Sequence, residues 1–459
     1  MDMPLISPLM KYVIIYFPIF FIVLLLGLLF FRRKFSWRLW IIVLPFPLLI
    51  FMSIISYIAM NYIGREQVKA EFEKMRQAGI PTDFKEFIPS NINSPDNAAI
   101  LYEKVFRIAE PTFEKLNKLI PEKDNPYNIC TWMPADREAF IKLLSSEESS
   151  RIFKLVGEGI AKPFAVYHRQ YNGILTSLPE ASDQRTLFRY FSLAASYYGS
   201  HGDLKKAYSI LNNGFKIIKQ LEKEPVLLPF LINIASMAAN IDAMNTLMKQ
   251  YGIDNNDAKM LLKSLETIDF KKAGIYTQEG EMNLVGGEAL NILKGDFSRL
   301  GNEKVYKYFS WIMQLHPYQY SDYRRYLKYM QNEIDQVKAP YWTIEKQDDK
   351  KVDKFIKTLN NKFLAILMGM CIPINLSQKT ARIQTETDAT KLILALHIYK
   401  NNHGQFPDKL DALAPEILKE IPLDPFNGKA FEYMNEGRFF SLSSEWLAEK
   451  EKRKYSQKK

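Results

Sequence analysis

The sequence predicts a mainly α-helical, membrane-anchored chain: a two-helix membrane hairpin, a helical middle domain and a small α+β module near the C-terminus. Three observations predict it. Two uncharged apolar runs, Tyr12–Phe31 of 20 residues and Leu39–Ile63 of 25, stand near the N-terminus. Each is long enough to cross a ~30 Å hydrocarbon core as a helix. From about residue 137 to 340 apolar residues recur at helical spacing. After residue 420 turn-forming residues bracket short alternating strands.

The anchor comes first. Pro18 lies in the first run, Pro45 and Pro47 in the second, and prolines are tolerated in membrane helices. Trp37 and Trp40 flank the second run, at the depth where indoles favour headgroups. The first run has Lys11 but no basic n-region or small-residue cleavage site, so an uncleaved hairpin is expected. Arg32, Arg33, Lys34 and Arg38 form the loop between the spans, and a loop this basic stays cytoplasmic. Both termini and the domain after Gly64 then face outward, from the cytoplasmic (inner) membrane of a bacterium towards the periplasm or exterior. Arg65, Lys69, Lys74 and Arg76 after the second span pull the other way, interleaved with Glu66, Glu71 and Glu73.

The chain is 47% hydrophobic and 24% charged with net charge +10. Residues 1–64 hold +4 of that charge, the tail 449–459 another +4, and residues 65–448 only +2. The excess belongs to the membrane loop and a solvated tail, so no nucleic-acid partner is expected. The two cysteines, Cys130 and Cys371, make neither a disulfide framework nor a zinc site. An outward domain permits them to pair. The plainer reading keeps Cys371, in Met368-Gly-Met-Cys-Ile-Pro, as a small buried apolar residue.

In the middle domain, residues 65–79 carry Val68, Phe72 and Met75 on one stripe, and Pro81 ends that helix. Another helix starts at Asn97 and stops before Pro111. Pro121, Pro126 and Pro134 predict an irregular connection over 120–136. The best-defined unit, Phe191–Leu221, reads as helix, tight turn at Gly202-Asp203, and helix, with Ala207, Leu211 and Gly214 as a small inner face. Ala195, Tyr198, Gly202-Asp203 and Ala207 resemble one tetratricopeptide repeat; an ordinary helical hairpin is the equal alternative, since a solenoid needs about three units. The aromatic cluster Tyr306–Tyr326 reads as packing between helices ahead of a recognition surface.

The charged stretch Thr343–Lys354 marks a boundary or an exposed helix start. Phe363–Ile374 is an apolar run of 12 residues, too short to span and therefore core. A polar helix follows with a stripe of Ala389, Leu392, Ala395, Leu396 and Tyr399. Gly404 can take the positive φ of a helix C-cap, and Pro407 prevents continuation. A short helix is expected over Leu410–Leu418, then a turn in Ile421-Pro-Leu-Asp-Pro-Phe-Asn-Gly. Phe431 and Tyr433 alternate, Asn435-Glu-Gly437 turns, and Phe439–Ser443 returns as a β-hairpin.

This order of elements resembles the globular part of the major pseudopilin of type II secretion. The resemblance rests on Tyr399, Gly404, Phe406, Pro407, Leu410, Leu413, Asp424, Pro425, Phe426, Gly428 and Tyr433, and covers about 80 of 459 residues. It implies a pseudopilin-like module and a structural or interaction role for those residues. The prepilin-peptidase site is missing, and Glu445-Trp-Leu-Ala stands where the family has its calcium loop. Pilus self-assembly and calcium binding are therefore not expected. The whole layout also resembles uncharacterised bacterial membrane-anchored envelope proteins. The boundaries read 1–64 for two transmembrane helices, 65–342 for the α-helical extracytoplasmic domain, 343–362 for the charged linker or helix start, 363–446 for the module, and 447–459 for the basic tail.

Chemistry is sparse. His168, His201, His316, His397 and His403 show no metal-ligand spacing, so no metal and no cofactor are expected. Glu279, Glu281 and Glu288 flank Gly286-Gly287 and read as a solvated face on a kinked helix ahead of an acid/base pair. There is no phosphate-cradling loop, nucleophile elbow or Cys/His pair, so no catalytic residue is assigned. The expectation is a non-enzymatic scaffold or protein-binding protein, related to secretion or pilus-like envelope assembly, with a protein partner in the envelope. The alternative is an extracytoplasmic hydrolase acting on envelope polymer, its site assembled from distant residues. Transport or sensing is weaker, because neither span carries an ionisable residue.

Overall fold

The computed structural model describes residues 15–17, 19, 22, 45–120, 129–173, 176–293, 318–344, 351–360 and 375–448. Most of the first span, the basic loop, residues 306–311 of the aromatic cluster, the 363–374 run with Cys371, and the tail from 449 lie outside the described residues. The Cys130–Cys371 pairing therefore does too.

The fold is mainly helical with one small sheet. Helix α1 (Pro45–Gln77) runs without a break from the second apolar run into the Val68–Phe72–Met75 stripe. That stripe is buried against α9 (Phe270–Leu293) and α10 (Gln319–Lys338), among Met282, Val285, Tyr320, Tyr323 and Tyr326. Arg324 of α10 reaches Glu71 (3.1 Å) and Gln67 (3.1 Å), and Gln319 donates to Asn61 (3.1 Å). The tyrosines Tyr320, Tyr323 and Tyr326 thus pack between helices.

Helix α2 (Ala99–Leu119) continues through Pro111, against the expected stop. Pro111 and Arg107 are both exposed, so the carbonyl that loses its N–H partner faces water. Thr112, Phe113 and Leu116 meanwhile carry the buried stripe onward. After α3 (Pro134–Leu144) come α4 (Glu147–Ile160), α5 (Glu180–Ser200), α6 (Leu204–Gln220), α7 (Leu227–Tyr251) and α8 (Asn255–Glu266).

These helices stack in chain order. The pairs α2/α4 and α5/α6 lie side by side: α2 packs on α5 and α5 on α7, while α4 packs on α6 and α6 on both α7 and α8. The hairpin read from the sequence is thus the second of these two pairs. Asp203 caps α6 by accepting from the Lys206 amide at 3.1 Å. Gly214 lets α7 approach closely, since a Cβ there would stand 2.8 Å from Asn240 Oδ1.

Among the described residues one helix, α7, is long and apolar enough to cross a membrane. It lies inside the fold. Phe230, Met237, Ile241 and Met244 are buried in the core, and Asn233 and Asn240 donate to the Ile218 and Leu211 carbonyls of α6 at 3.2 and 2.8 Å.

The short α11 (Lys351–Thr358) precedes α12 (Leu376–His403), which packs on α7, α8, α9 and α10. One buried cluster contains residues from Ala98 to Phe431, so α12 and the elements after it share the core of the stacked pairs. Gly404 ends α12 at φ 80°, its N–H on the Lys400 carbonyl at 2.7 Å. The expected helix over 410–418 is one 3₁₀ turn, Leu410–Leu413. Strands β1 (Glu432–Asn435) and β2 (Phe440–Ser443) pair antiparallel, with Tyr433 opposite Leu442.

Candidate functional site

The positions singled out in the C-terminal module build its scaffold. Asp424 is buried; its Oδ1 accepts from the Phe426 amide (3.0 Å) and its Oδ2 from the Glu445 amide (3.1 Å), while Gly428 donates to its carbonyl (2.8 Å). Phe426 stacks on Trp446 at 5.9 Å and meets Tyr341 edge-on at 4.9 Å; its neighbour Pro425 is half-buried. Gly428 lies against the Trp342 indole. Phe406 is core, Tyr399 is half-buried and stacks on His403, and the Tyr433 hydroxyl donates to the Pro407 carbonyl at 2.7 Å. These contacts hold turns and join the hairpin to α12.

The cleft lies elsewhere. It encloses about 430 Å³ between α2, the 164–178 loop and the start of α5, lined by Glu103, Phe106, Arg107, Tyr167–Gln170, Asn172, Ser177, Pro179, Glu180 and Asp183. Asn97 holds the loop from both sides: its Nδ2 donates to the Val166 carbonyl (2.7 Å) and its Oδ1 accepts from the Val166 amide (3.0 Å). The Ala165 amide donates to the Gln220 carbonyl at 3.2 Å. The loop so held carries Arg169 inward.

Arg169 is the centre of the cleft floor. Its side chain is 3% exposed, with Nε 2.5 Å from Glu180 and Nη1 2.5 Å from Glu224, and its guanidinium sits over the Tyr167 ring at 5.3 Å. Burial opposes its charge, but Glu224 and then Glu180 outweigh that and hold it firmly protonated. Burial raises Glu224 despite Arg169. Burial also raises Tyr171, to about 12. Above them, Asp183 is half-buried and raised by burial, then by Glu110 and Glu180. Glu103 and Asp183 make no ion pair or side-chain hydrogen bond among the described residues. The cleft is therefore of mixed charge with an acidic excess, and it has an aromatic wall where Phe106 stacks on Tyr167 at 6.3 Å.

A second cleft of about 440 Å³ is basic: Lys115 and Lys118 of α2 and Lys142 of α3 surround Thr112, Ser146 and Glu148. Thr112 donates to Glu148 at 2.7 Å across its floor. Among the described residues no group of three His, Cys, Asp or Glu is arranged to hold a metal ion.

The reading of Glu279, Glu281 and Glu288 as a solvated face is overturned. Glu281 is 6% and Glu288 2% exposed, because α9 is enclosed by α7, α10 and α12. Sequence reasoning missed Arg169, Glu180 and Glu224 altogether. They lie 11 and 44 residues apart, with no shared motif. Comparisons with protein-family models, curated proteins and solved structures find no match.

Proposed function

We propose that this chain is a membrane-anchored, non-enzymatic scaffold of the bacterial envelope that binds protein partners on the outer side of the cytoplasmic membrane. The observation that carries it is α1. Its first half exposes Leu49, Phe51, Met52, Ile55, Tyr62 and Ile63, each more than 40% accessible. Its second half is locked to α10 through Glu71 and Arg324. A helix that is apolar on all sides and then amphipathic suits a span continuing into a docked stem. The basic loop Arg32–Arg38 supports the outward orientation.

The two stacked helix pairs, α2/α4 and α5/α6, offer helix faces to partners, whether as a tetratricopeptide-like unit or as ordinary helical hairpins. The pseudopilin-like module at the other end adds a second such surface, consistent with envelope assembly. Two measurements test the reading. A reporter fused after Lys459, active only outside the cytoplasm, should be active; activity of a cytoplasmic reporter alone overturns the orientation. In-cell cross-linking from residues 400–444 should trap a protein, and recovery of the monomer alone counts against the scaffold role.

Glu103 and Asp183 in the cleft favour a second reading, a hydrolase acting on envelope polymer with paired carboxylates. Glu180 is committed to Arg169, which leaves these two for proton transfer. That reading requires the purified chain to cleave envelope polymer and Asp183→Asn to abolish the cleavage.

A further inference from the structure

Helix α7 begins without a cap of its own, since Val226 has no side-chain oxygen to offer. A residue of α9 does the capping: Glu281 Oε2 accepts from the Leu227 amide at 2.9 Å. Thr277, one turn earlier on α9, donates to the Glu224 carbonyl at 2.7 Å. The segment 224–227 is thus clamped to α9 through its backbone, while the Glu224 side chain reaches across to Arg169 in the cleft loop. Four elements meet at this joint: the cleft loop, the start of α5, the start of α7 and α9.

The charges at the joint do not balance. Glu180 from α5, Glu224 from the segment and Glu281 from α9 are all buried, and among the described residues Arg169 is the one cation paired with any of them. Among the described residues the other titratable groups facing it are Glu288 of α9, buried against Gly173 of the cleft loop, and four phenols: Tyr167 and Tyr171 from the cleft loop, Tyr276 from α9 and Tyr102 from α2. Burial raises each phenol. With Glu180 and Glu224 ionised, a third carboxylate charge has no partner. The Leu227 N–H and the positive end of α7 favour that charge. Burial and the nearby Glu224 oppose it.

We propose that Glu281, coupled to Glu224, is a buried proton-binding site that tightens the joint between α7 and the cleft loop when protonated and loosens it when the proton leaves. Burial and Glu224 outweigh the Leu227 hydrogen bond and push Glu281 up to about 7, above its ordinary value of 4.5. Between those two pH values the folded chain holds a proton that the open chain has released. The stability this group supplies is complete below about pH 4.5 and lost as pH rises through 7. The cleft floor shares the joint, so cleft geometry follows the same proton. This inference stands apart from the scaffold reading.

Hydrogen exchange of the full chain in detergent micelles tests it, corrected for intrinsic exchange and followed from pH 5 to 8.5. Protection of residues 221–230 should fall by about tenfold per pH unit up to pH 7 and then level, the slope of one proton. Glu281→Gln keeps an oxygen for the Leu227 amide and should be flat over that range. Glu224→Gln removes the repulsion and should move the levelling point to lower pH. A wild-type slope retained in Glu281→Gln overturns the proposal, as does wild-type protection that is flat below pH 7. If Glu281→Gln fails to fold, an unmoved levelling point in Glu224→Gln overturns the coupling.

Discussion

Helices α6 and α12 both pack on the core, yet their sequences look nothing alike. On α6, Lys205, Lys206, Ser209, Lys216 and Lys219 face water, while Ala207, Leu211, Phe215 and Ile218 face the core. On α12 every residue from Thr385 to Thr390 is buried. Enclosed by four helices, α12 has no wet face to carry its polar residues. It satisfies most of this stretch locally instead. Thr385, Thr387 and Thr390 donate to carbonyls four residues back at 2.9, 2.7 and 2.7 Å. Asp388 accepts from Gln384 (2.9 Å) and Lys391 (3.1 Å). A helix with one wet side carries the hydrophobic period in its sequence; an enclosed one trades that period for hydrogen bonds.

The comparison holds only if the partners of the paired buried polar groups are what keep those groups in place. The strongest way to break it is Arg169→Met. Glu180 and Glu224 would lose their cation while remaining buried, and stability should fall by about 3–5 kcal/mol. Denaturant unfolding of the full chain in micelles measures this; a loss under about 1 kcal/mol would mean the triad is hydrated in solution. On the dry face of α6, Leu211→Ala opens a cavity and should cost about 2–5 kcal/mol, seen as a lower thermal midpoint. A smaller loss would show that α6 can collapse onto α7.

Weaker substitutions sharpen the contrast on α12. Trp446→Phe keeps the ring stack on Phe426 but removes the Nε1–H that Glu386 accepts at 3.1 Å. About 1–3 kcal/mol should be lost, with increased proteolysis after residue 443 as the local readout. Thr387→Val deletes one back-bonded hydroxyl and should change stability by no more than about 1.5 kcal/mol. A larger loss would make that hydroxyl part of a wider network, and the account of α12 as locally satisfied would fall.

Legibility followed the range of the interaction. Gly202-Asp203, Gly404, Asp424-Pro-Phe-Asn-Gly428 and Asn435-Glu-Gly437 were readable because turn chemistry is settled within a few residues. Pro111 was misread for the opposite reason. Whether a proline ends a helix depends on what meets the carbonyl it orphans, and here water does. The glutamates of α9 looked solvated because charge signals exposure only when no other helix covers it.

The order of the helices, their turns, the amphipathic stripe after residue 65 and the C-terminal hairpin all follow from residues near one another in the chain. Steric limits, capping and periodicity act over one or two turns and need nothing further. The enclosure of α12, the capping of α7 by Glu281 and the gathering of Arg169, Glu180 and Glu224 at a cleft floor came only from tertiary packing. Those groups meet across 11 to 57 residues of chain. Whether a carboxylate stays charged depends on which segments close around it, and that is a property of the assembled layers.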